Sequence, residues 1–73
     1  IIKMYGNNIK TARLNAGLTQ KEVSAKTGIP QNTISWIELD KGLANIEQCK
    51  LLAECYNITI NELIGIEPKK EWK

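Results

Sequence analysis

Histidine and phenylalanine are missing from this chain altogether, and cysteine occurs only twice. Without histidine there is neither the commonest general base nor the commonest metal ligand. Two thiols alone cannot complete a four-ligand zinc site. Nor do Cys49 and Cys55 form a disulfide framework, because on one helix, six residues apart, they project about 240° from each other. They read instead as small helix-packing residues in a reducing compartment. Absent too are a Gly-rich phosphate loop, a nucleophile with a plausible base and a cluster of carboxylates, so no enzyme, cofactor or metal is expected. No run of about 18 apolar residues occurs, and no charged-then-apolar signal segment opens the chain. The expectation is a soluble, cytoplasmic protein without a membrane partner. The chain opens on Ile1 rather than Met, which fits a trimmed piece of something longer.

What is present makes one small domain. The chain has 73 residues and a net charge of +2, which permits an anionic partner without arguing for one. Only Tyr5, Trp36, Tyr56 and Trp72 are aromatic, so Ile, Leu, Val and Ala must fill the core. Turn and cap signals divide the sequence into five helices with no convincing strand, an all-α fold. The first helix is predicted from about Met4 to Ala16, with Tyr5, Ile9, Ala12 and Ala16 on one stripe and Gly17 as its stop. Thr19 and Glu22 form a capping box for the second, which Gly28 ends. Pro30 opens the third, expected to end near Leu39 to Lys41 with Gly42 as the stop. Asn45 with Gln48 caps the fourth, reaching Tyr56 or Asn57, and Thr59 with Glu62 caps a short fifth ending at Gly65. Residues 1–66 are read as the domain, and residues 67–73, with Pro68 and the charged KKEWK, as a tail or linker.

Helices this short are not stable alone in water and must share a core. The residues nominated for it are Ile9, Ala12, Leu18, Val23, Ile34, Ile37, Ile46, Leu52, Ala53, Tyr56, Ile58 and Leu63. Two charges fall on the same side. Arg13 lies four residues after Ile9, and Glu38 four after Ile34, so each projects from the buried face of its helix. An unpaired charge there is costly, and a mutual ion pair locking the first helix to the third is the economical arrangement.

The third helix carries the chemistry. Thr33, Ile34, Ile37 and Glu38 fall on one arc of it, while Gln31, Asn32, Ser35, Trp36 and Leu39 fall on the opposite one. The second arc lacks the Lys and Glu of an ordinary solvated face. Gln and Asn can bond adenine N6 and N7 together, Ser bonds either partner type, and a ring edge can rest on a thymine methyl. Amides and a hydroxyl alone also suit a plain surface helix. A neighbouring exposed Trp36 calls for a partner surface, although an indole there also fits a protein interface or a prop against the second helix.

From Gly6 to about Gly65 the chain resembles the helix-turn-helix domains of the lambda-type phage repressors and Cro, the Xre-like bacterial regulators. The resemblance rests on Arg13, Leu18-Thr19-Gln20, Val23, Gly28-Ile29, Ile34-Ser35, Ile37-Glu38 and the closing LLAECYNITINELI. It implies a five-helix lambda-repressor-like fold whose third helix, about Pro30 to Leu39, lies in the major groove of double-stranded DNA. Gln31, Asn32, Ser35 and Trp36 match base-facing positions. Gln20 with Lys21 at the start of the second helix, and Lys41 to Asn45 in the following loop, match positions that grip phosphates. The family carries a pair similar to Arg13 and Glu38. A bacterial or phage transcription regulator, most often a repressor, is the implied role. Two copies would then sit on a pseudo-palindromic operator as a homodimer, formed in solution or only on DNA, with Ile64 and Ile66 near the candidate dimer surface. Departures from the family are the lack of Lys or Arg in the third helix, Lys41 alone in a loop that is often more basic, Ser24 in place of Ala, and Trp36 in place of a polar residue. An antitoxin-type protein-interaction module on the same fold is the alternative, favoured by Trp36, Trp72 and the low basic content.

Overall fold

The computed structural model describes residues 5–65. Five helices follow one another: α1 (Gly6–Asn15), α2 (Gln20–Thr27), α3 (Gln31–Glu38), α4 (Ile46–Tyr56) and α5 (Ile60–Ile64). Among the described residues there is no strand, and no helix is long and apolar enough to cross a membrane. Three of the helices start on capping boxes, at Thr19 with Glu22, Asn45 with Gln48 and Thr59 with Glu62. In each, the cap side chain accepts the N3 amide while the N3 side chain accepts the cap amide, so two orphan donors are satisfied reciprocally.

The other two starts differ from expectation. Pro30 sits at the N-cap of α3 rather than inside it, with extended ψ of 143°, and its carbonyl accepts from Thr33 and Ile34. Helix α1 begins at Gly6, and its N-cap Tyr5 supplies no side-chain bond. The first amide is instead capped from a distance: Gly6 N–H donates to Asp40 Oδ1 at 2.8 Å. A Cβ at Gly6 would lie 2.5 Å from the Ile37 carbonyl oxygen and 2.6 Å from that of Glu38, so only glycine admits this approach.

The end of α3 also departs from the sequence reading. The helix stops at Glu38, with Asp40 rather than Gly42 taking the left-handed conformation at φ 61°. Asp40 N–H bonds to Ile37 O and Lys41 N–H to Trp36 O, which is the Schellman pattern with an acid in the usual glycine place. Asp is among the few side chains that tolerate this region.

The core comprises Ile9, Val23, Ile29, Ile34, Ile37, Leu52, Ala53, Tyr56 and Leu63. Ala12, Leu18 and Ile58 pack against it half-buried. Two corrections follow. Ile46 is 79% exposed: it occupies the first turn of α4 at the open edge of an apolar depression, where neighbouring side chains leave it uncovered. Ala16 is likewise exposed, at the C-cap of α1 where the chain turns away. Ile29, in the hinge and outside any helical period, is buried without having been nominated. Helix α1 packs on α3 and α5, α2 on α3 and α4, and α4 on α5. This arrangement leaves one side of α3 uncovered.

Candidate nucleic-acid interface

The hinge between α2 and α3 is held by several short-range hydrogen bonds. Gly28 adopts φ 82° and donates to Ser24 O at 2.9 Å. Ser24 Oγ donates to the Ile29 carbonyl at 2.6 Å, and Ile29 N–H donates to Thr27 Oγ1 at 3.1 Å. The Ser24 hydroxyl, where relatives often carry Ala, thus staples the last turns of α2 to the residue that enters α3. Ile29 then inserts into the core. The angle between the two helices is thus set by packing and by bonds that satisfy the turn's polar groups.

Helix α3 is anchored through Ile34, Ile37 and Glu38, all buried. On its other side Gln31, Asn32 and Trp36 are exposed, the indole by 60%, with Ser35 half-covered. The structure brings Gln20, Gln31, Asn32, Ser35 and Trp36 around one shallow, open depression. Hydrogen-bond donors and acceptors therefore share this depression with a flat aromatic surface. Lys21, Lys41 and Asn45 are exposed but lie outside this depression. Lys41 follows Asp40 in the turn after α3, and a methyl group at Gly42 would touch the Trp36 ring at 3.7 Å, so that loop runs beside the indole. Asn45 Oδ1 is committed to the α4 cap at 2.7 Å from Gln48 N, which leaves its NH₂ as the end an anion could use.

Beneath the depression lies the charged pair. Arg13 Nε donates to Glu38 Oε2 at 2.7 Å and Nη2 to Oε1 at 3.2 Å, a two-pronged arrangement in a site where Arg13 is 8% and Glu38 6% exposed. The bond to Glu38 raises the already high guanidinium pKa, against the lowering effect of burial. Arg13 Nη1 also donates to the Leu18 carbonyl at 2.8 Å, tying down the loop before α2. Gln20 Nε2 donates to Glu38 Oε1 at 3.0 Å, a bond that helical periodicity could not reveal because it joins two helices.

A hinged helix pair over one apolar core, with an amide-and-indole face left open, defines a helix-turn-helix domain. The chain belongs to the lambda-repressor-like, or Xre, branch of that family: the family model described as "Helix-turn-helix" matches residues 9–63. It is similar to the HTH-type transcriptional regulator ImmR of Bacillus subtilis (strain 168), with 35% identity over 60 residues. Those residues make up 82% of this chain and 47% of the relative, so the chain spans about half of that protein's length. No solved structure gives a significant match.

Proposed function

We propose that this domain reads double-stranded DNA as part of a bacterial or phage transcription regulator, acting as a repressor that occupies an operator. One observation carries the reading: Gln31, Asn32 and Trp36 stand open around a single depression while the opposite face of α3 is locked into the core. In this reading α3 enters the major groove. Gln31, Asn32 and Ser35 meet base edges, and the Trp36 ring rests on a thymine methyl or sugar. Gln20, Lys21, Lys41 and Asn45 hold the flanking phosphates and set the register. With no Lys or Arg in α3, the bidentate contact to guanine is missing, and A·T-rich half-sites are favoured. Two copies bind a pseudo-palindrome, each reading one half-site.

Selection of bound sites from a random duplex pool tests this. Gln31→Ala or Asn32→Ala should relax preference at one position per half-site by about 1–3 kcal/mol. Uniform weakening across all sequences for both changes would remove α3 from the groove. A second reading, a protein-interaction module of antitoxin type, draws support from Leu43 and Ile46, which are exposed beside an apolar depression that Tyr5, Ile60 and Ile64 also line. Co-purification of a neighbouring gene's product with no selected duplex would favour it.

A further inference from the structure

We propose that Glu38 is a positioning residue for DNA contact, acting through Gln20; the proposal rests on the DNA-binding reading above. The Glu38 side chain is 2% exposed and receives three hydrogen bonds, two from Arg13 and one from Gln20 Nε2. A carboxylate can only accept, so the end of the Gln20 amide that meets it must be the NH₂. The amide orientation is therefore determined: its oxygen and its second N–H turn away from Glu38. Gln20 also lines the depression beside Gln31, Asn32, Ser35 and Trp36. Its backbone is held from the other direction, because Arg13 Nη1 bonds the Leu18 carbonyl two residues upstream.

A free Gln side chain surrenders rotamer freedom when it binds, and a side chain already held surrenders less. The buried pair thus lowers the cost of a contact at the start of α2. This also accounts for charges where apolar residues of similar volume would often serve stability equally well. Arg13 orients Glu38, Glu38 orients Gln20, and Gln20 meets the DNA.

The test compares Gln20→Met, the apolar replacement Arg13→Met with Glu38→Met, and the triple variant. Affinity and its salt slope are read on the best duplex from the random pool, at a temperature where circular dichroism shows each protein folded. Gln20→Met should weaken binding about five- to tenfold, the size of one lost hydrogen bond. The apolar replacement should weaken it by a similar factor, uniformly across duplexes, although the protein remains folded. In that background Gln20→Met should cost less than about twofold, because the amide is no longer held. Equal losses from Gln20→Met in both backgrounds would overturn the proposal, as would a folded apolar variant with unchanged affinity. If the apolar variant does not fold, ¹⁵N relaxation of the Gln20 side-chain amide in the unmutated protein decides. A restricted amide supports positioning, and one averaging freely overturns it. A protein that selects no duplex at all would sink the DNA-binding reading itself, a result distinct from additive losses on a duplex it does bind.

Discussion

Tyr56 places its ring in the core while its hydroxyl has no hydrogen-bond partner among the described residues. Burial, reinforced by the nearby Glu38 charge, raises its pKa above the ordinary 10.0, and burial raises Cys49 and Cys55 above 9.0. All three groups therefore lose their protons more readily in the unfolded chain. Their contribution to stability is complete below about pH 9 and declines as pH rises through the unfolded values towards the higher folded ones. Tyr56→Phe should leave stability at pH 7 unchanged or up to about 1 kcal/mol higher, and should flatten the part of the decline that begins near pH 10. Urea melts across pH 7 to 11 would show this, and a steeper alkaline loss in the variant would contradict it. At the charged pair the expectation is opposite in size. Arg13→Leu strands a buried carboxylate and should cost about 3–5 kcal/mol, a large fraction of what so small a domain possesses. An unchanged melting temperature would reject a structural role for the pair.

Among the elements, α1 and α3 are joined by more than side-chain packing. Asp40 ends α3 in the left-handed region and at the same time caps α1 through Gly6. One carboxylate thus relates the start of α1 to the end of α3. Asp40→Ala should lose the cap and strain the turn, costing about 1–2 kcal/mol, whereas Asp40→Asn keeps an acceptor and the conformation and should cost less than half as much. Equal losses in a thermal melt would mean that the cap contributes nothing. A comparable tie joins α1 to α5, where Asn8 Nδ2 donates to the Ile64 carbonyl at 3.1 Å. Both ties reach across the domain, so α1 fixes the end of α3 and the end of α5 relative to one another.

For the whole molecule, the DNA reading proposed above implies a second copy, because a single domain of this size meets too few base pairs to select a site alone. On a pseudo-palindrome the two α3 helices would sit about 34–36 Å apart, one turn of the duplex. Inserting five base pairs between half-sites should reduce binding to that of a single copy, since the second site then faces the far side. Footprinting on both duplexes checks this, and undiminished protection of the lengthened site would argue against paired binding. Ile64, nominated for a dimer surface, is half-buried beside the apolar depression, while Ile66, Pro68 and Trp72 lie outside the described residues.

Much of the architecture was legible because its signals are local. Thr19 with Glu22, Asn45 with Gln48 and Thr59 with Glu62 mark helix starts by satisfying amides within one turn, and Gly28 marks the hinge by tolerating positive φ. Apolar periodicity likewise separated the anchored side of α3 from its open side, since a helix repeats in a known angle. It could not tell whether a neighbour extends far enough to cover a given turn, so Ile46 was misplaced, nor could it register Ile29, which has no period to follow. The distant cap from Asp40, the Ser24 staple and the Gln20–Glu38 bond arise only when separate helices meet. Local backbone chemistry names the pieces and their inward sides; which side chains touch across them depends on distances that only packing sets.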